Sequence, residues 1–200
     1  MSHASSSTAW GFLTVLNSDE QGLIGGYLVL NQAGRPLEFH CTAPVKPNRA
    51  QQILFGPTLE PYLYGEQIGQ TLVSKGAATP AVVYTDVPPA LAMRDFVDMP
   101  VALVLAADVS PAQQGTAVQG SAAQGSAVAA QSQWRVDRSH KLSGAITFAL
   151  GANRLAVAER HRADEKTILS RWLGLDSFDL AEPFERIRDA IAEAQRQSRA

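Results

Sequence analysis

Asp86 holds the position with most chemical potential. It closes the apolar run Ala81-Val82-Val83-Tyr84-Thr85, which predicts a short strand buried on both faces with a carboxylate at its carboxyl end, where sheets commonly bind ligands. The plainer reading is a loop or helix-capping aspartate ahead of Pro88-Pro89. Asp19, Glu38, Glu60, Glu66 and Asp95 are further acids that could approach it in space, though each reads first as a solvated surface charge. His40 and Cys41 are adjacent on a strand pattern, so they point to opposite faces and cannot serve each other as base and nucleophile. Cys41 is expected to be a small buried hydrophobe.

A basic neighbourhood gathers Arg135, Arg138, His140 and Lys141 with the run Arg160-His161-Arg162. It could bind phosphate, but the interspersed Asp137, Glu159, Asp164 and Glu165 favour an ordinary solvated face. No glycine-rich phosphate loop, Gly-x-Ser-x-Gly elbow or His-Glu-x-x-His helix occurs. Hence no catalytic residue, metal ligand or cofactor is assigned.

The elements that must position Asp86 read as strands first and helices afterwards. Trp10–Leu16, Gly26–Leu30 and Leu37–Thr42 are rich in Leu, Val and aromatic residues and are separated by polar or Asn/Gly/Pro breaks, which predicts a three-stranded antiparallel meander. Helical spacing follows through Ile53, Leu54, Leu59, Tyr62, Leu63, Leu72 and Val73, with a break near Gly56-Pro57 and a stop at Gly76. Gly65 and Gly69, four apart on that helix, are expected to allow close packing on the sheet. Val101–Ala106 is a second doubly buried strand.

At 200 residues, with 46% hydrophobic and 18% charged residues, the chain can bury a sizeable core. A formal net charge of -2 gives no support to nucleic-acid binding by bulk electrostatics. One cysteine excludes an intramolecular disulfide and a multi-thiolate zinc site. Met1–Thr8 has neither the basic start nor the apolar core of an export signal, and no apolar run approaches the ~20 residues of a membrane span, so a cytoplasmic location and no membrane contact are expected.

The chain divides into a flexible terminus (1–9), an α/β core (10–107), an Ala/Gln/Gly/Ser-rich disordered linker or insertion (108–133) and a C-terminal part (134–200) packing on the same core. In the last part, Gly144–Leu150 and Arg154–Glu159 predict a hairpin. Asp164 is placed to cap a helix with Ile168, Leu169, Trp172 and Leu173 on its apolar face, ended by Gly174. A final helix carries Phe184, Ile187, Ile191 and Ala194 on one stripe, with Glu185, Arg186, Arg188, Asp189 and Arg196 elsewhere. The stripe predicts docking either on the chain's own sheet or on a partner.

Three antiparallel strands, helix, strand, connection, strand is an order that resembles the ribonuclease H-like fold. The strings Gly25-Gly26-Tyr27, Asn48-Arg49 and Tyr84-Thr85-Asp86 add to the resemblance, which spans Trp10 to about Ala106. It implies an α/β (α+β) mixed sheet with flanking helices, and a site whose carboxylates grip two divalent cations. Asp86 matches the family's aspartate at the end of the fourth strand. The first strand, Thr14-Val15-Leu16-Asn17, has no carboxylate, and Ala50, Gln51 and Gln52 stand where a glutamate would follow Asn48-Arg49. A neutral amide holds Mg²⁺ far more weakly than a carboxylate. The resemblance therefore implies a degenerate module that binds, with a protein as partner, and Asp86, Gln51, Asn48 and Arg49 as remnant or binding residues. The alternatives are a metal-dependent nuclease or phosphotransferase with an atypical acidic site around Asp86, and a profilin-like or roadblock-like scaffold of different topology.

Overall fold

The computed structural model describes residues 9–18, 20–105, 144–172 and 178–197. The expected linker at 108–133, the basic residues 135–141 and the helix stop at Gly174 lie outside them. One mixed seven-stranded sheet runs through the described chain: β1 (Trp10–Ser18), β2 (Gly22–Leu30), β3 (Pro36–Cys41), β4 (Val82–Thr85), β5 (Val101–Leu105), β6 (Ala145–Leu150) and β7 (Asn153–Ala158), in the order β3-β2-β1-β4-β5-β7-β6. The N-terminal meander is antiparallel, β4 lies parallel to β1 with Trp10 opposite Val82, and β5 lies parallel to β4. The β6–β7 hairpin then extends the same sheet antiparallel to β5. This mixed α/β arrangement is compatible with a ribonuclease H-like fold.

Nearly every residue of β1 and β2 is buried because helices cover both faces of the sheet. On one face, Leu13, Val15, Tyr27 and Val83 pack against Leu63, Ile68 and Leu72 and against Ala90 and Met93. These come from a π-helical stretch (Pro61–Gln70) running into α2 (Thr71–Lys75), and from a 3-10 helix (Pro88–Asp95). On the other face, Phe12, Leu16, Leu28 and Tyr84 pack against Ile168 of α3 (Ala163–Arg171) and Phe184, Ile187 and Ile191 of α4 (Glu182–Gln197). Trp10 stacks on Trp172 with centroids 5.7 Å apart, and Phe12 meets Phe184 edge-on at 5.7 Å.

Adjacent glycines in β2 seat the two layers. Side chains alternate across a strand, so Gly25 faces Ile68 and Leu72 while Gly26 faces Ile187 and Ile191, and a methyl at either position would overlap its helix. Gly65 and Gly69 differ from expectation. They pack on the 88–95 helix rather than the sheet: a methyl on Gly65 would lie 2.8 Å from Ala92 Cβ and one on Gly69 2.8 Å from Met93 Sδ.

The C-terminal part is tied to the core by ion pairs. Arg94 donates through Nε and Nη2 to both oxygens of Asp164, at 2.7 and 3.2 Å. Asp164 is thus a buried partner in the first turn of α3 and not its cap; Arg162 occupies the cap position. Of the face expected for α3, Ile168 is buried, Trp172 is half-buried and Leu169 is 45% exposed. Asp95 accepts from Arg160 Nε at 2.9 Å and Nη2 at 2.5 Å and lies 2.7 Å from His161 Nε2. Arg160 and His161 are therefore structural partners rather than a free basic surface.

Candidate functional site

Continuing the β1–β4 register one residue past Leu13 and Thr85 places Thr14 beside Asp86, both on the face that α4 covers. Asp86 is 7% exposed, and Arg188 of α4 donates through Nη2 to its Oδ2. The same guanidinium donates through Nη1 to Glu185 Oε1 at 2.6 Å, so a solvent-facing carboxylate holds it from outside. Thr14 is fully buried, and neither its Oγ1 nor Arg188 Nε has a hydrogen-bond partner among the described residues. The polar site is closed beneath the helix.

Arg188 is the residue that sequence reasoning misplaced. It follows Phe184 by four residues and precedes Ile191 by three, so helical geometry puts it on the buried arc with the apolar stripe. A lone cation inside such an arc signals a buried carboxylate on the facing surface. Phe184, Ile187 and Ile191 are each 1% exposed or less. They cover the chain's own sheet, so the stripe is not available as a partner surface, and Ala194 falls outside it as an exposed residue.

The other expected site residues lie on α1 (Arg49–Phe55), which buries none of its residues. Asn48 and Gln51 form a reciprocal capping box: Asn48 Oδ1 accepts from Gln51 N at 2.8 Å and Gln51 Oε1 accepts from Asn48 N at 3.0 Å. Arg49 Nη1 donates to Gln52 Oε1 at 3.4 Å. These hydrogen bonds make them the start of a helix. Next to them Ile53 and Leu54 are 65% and 81% exposed.

Two of the remaining acids, Glu38 and Asp95, are engaged elsewhere. Glu38 accepts from Ala77 N at 2.9 Å and Ala78 N at 2.6 Å. Burial raises its carboxyl, but these two N–H groups and His40 more than offset that and leave it below the usual carboxylate range. Asp95 is likewise raised by burial and lowered further by His161 and Arg160, with a net downward shift. Asp19 lies outside the described residues. Cys41 is exposed rather than buried, because β3 is an edge strand.

These residues do not fit a divalent cation. A guanidinium already holds the Asp86 carboxylate, the neighbouring β1 position offers a hydroxyl, and no group of three or more His, Cys, Asp or Glu side chains suited to a metal occurs among the described residues. Nor is any helix of the described residues long and apolar enough to cross a membrane. The sequence matches no protein-family model, and a search of curated proteins finds no significant match.

Proposed function

We propose that this chain is a non-catalytic binding module on a ribonuclease H-like scaffold, engaging another protein chain, with its ancestral catalytic face closed by its own C-terminal helix. The observation that carries the reading is the Arg188–Asp86 ion pair. The one carboxylate that matches the family's metal-binding set is neutralised by a tethered cation, under a helix that also buries Phe184, Ile187 and Ile191. A metal ion would have to displace both the guanidinium and the packed helix.

The scaffold part of the reading is supported by the parallel β1–β4 neighbours and the order β3-β2-β1-β4-β5. The cytoplasmic location belongs to the same proposal and is supported by the single free cysteine, which suits a reducing compartment. Calorimetric titration with Mn²⁺ tests the reading. Wild type and Asp86→Asn are expected to give indistinguishable heats, and saturable binding lost in Asp86→Asn would overturn it.

A further inference from the structure

β6 is the last strand of the sheet and bonds β7 alone among the described residues. Its ladder runs without a register shift from Ala145 opposite Ala158 to Leu150 opposite Asn153. One step further, Glu159 N donates to Gly144 O at 2.8 Å, which fixes the phase. Bonded pairs alternate along an antiparallel ladder, so Ile146, Phe148 and Leu150 direct their backbone groups to β7, while Ala145, Thr147 and Ala149 direct theirs outward. Thr147 and Ala149 are also exposed. Native edges are usually blunted by a bulge, a charged side chain or a proline. Ala145-Ile146-Thr147-Phe148-Ala149-Leu150 has none of these.

We propose that β6 pairs antiparallel with β6 of a second copy of this chain, about a two-fold axis through Thr147. This axis bonds Thr147 to its counterpart and Ala145 to Ala149 of the second copy, so every outward backbone group finds a partner. Sliding by one step of the ladder in either direction would leave an alanine at each end of the pairing unbonded. On one face small side chains then meet, threonine against threonine and alanine against alanine. On the other, Ile146 falls opposite Phe148 of the second copy in the non-bonded pairs, where side chains approach most closely. Threonine pairs and pairs of a β-branched with an aromatic residue are among those that stabilise a ladder, and the strand has no charge to set against its own image. The strand therefore complements itself, as a two-fold interface requires. A single-strand pairing is small against the ~1,200–2,000 Å² of stable interfaces, so the dimer is reversible at ordinary concentrations. The inference is independent of the reading of Asp86, which follows β4, three strands away.

Sedimentation equilibrium of the full chain over a concentration series tests it, with circular dichroism confirming that each variant folds. Wild type is expected to dimerise reversibly. Thr147→Lys, at an exposed position, sets like charges across the axis and is expected to weaken association about tenfold or more. Phe39→Lys, on the opposite edge strand β3, is expected to leave it unchanged. In a Cys41→Ser background, Thr147→Cys is expected to cross-link to its counterpart under mild oxidation. Ala145→Cys is not, because its counterpart lies roughly four residues, ~13 Å, along the ladder. A wild-type monomer throughout the series overturns the proposal, including the case in which the chain's own residues 106–143 take the edge. So does a dimer indifferent to Thr147→Lys, one lost instead on Phe39→Lys, or equal cross-linking of Thr147→Cys and Ala145→Cys.

Discussion

Gly26 of β2 lies directly beneath Ile187 of α4, so close that a methyl on the glycine would overlap Ile187 Cγ2. The same helix carries Arg188, so the glycine sets the height at which the guanidinium reaches Asp86. Gly26→Ala is expected to destabilise the fold by about 1–3 kcal/mol through overpacking. Chemical denaturation checks this, and unchanged stability would show that α4 is not seated as described.

The Arg188–Asp86 pair should appear as coupling between two positions. Arg188→Ala leaves a carboxylate buried; its cost should fall somewhat below the ~3–5 kcal/mol of a fully buried pair, since the arginine side chain is 17% exposed. Combining Arg188→Met with Asp86→Leu should recover much of that loss, because neither charge is then stranded. A double-mutant cycle with no coupling would contradict the pairing.

Removal of the chain from Asp179 onward is expected to abolish cooperative folding. Phe184, Ile187 and Ile191 are all buried on the sheet, and each is worth roughly 1.5–3 kcal/mol against a typical net stability of about 5–15 kcal/mol. A truncated protein with an unchanged melting temperature would mean that the stripe serves a partner instead.

The Asp95 clasp predicts the acid limb of stability. Its folded pKa is depressed, so its contribution is fully present above the unfolded value of about 3.9 and is lost as pH falls through the lower folded value. Glu38 shifts in the same direction and adds to the same window. Melting temperatures measured from about pH 6 down to about pH 3 should fall less steeply for Asp95→Asn than for wild type. Identical slopes would remove Asp95 from the account.

Strands and layers were legible because they rest on local pattern. The runs around Val15, Val29, Val83 and Leu103 are apolar enough to be buried on both faces, and the turn residues between them punctuate the chain. The 144–159 hairpin was equally visible. Long-range pairings were not: Arg94 with Asp164 and Asp95 with Arg160 join residues 70 and 65 positions apart, which no local spacing encodes. Asn48 and Gln51 read as site remnants because their capping box shares its residue types with the family's helix start. Cys41 was assigned to the interior because its composition-based tendency ignores whether a strand is central or at an edge.

Cleavage of an RNA–DNA hybrid in Mg²⁺ or Mn²⁺, compared between wild type and Asp86→Asn, tests most directly whether the Asp86 face is closed to catalysis. With Asp86 held by Arg188 and no second carboxylate at the Thr14 position, the two proteins are expected to show the same background rate. Metal-dependent cleavage by wild type that Asp86→Asn abolishes would contradict that claim.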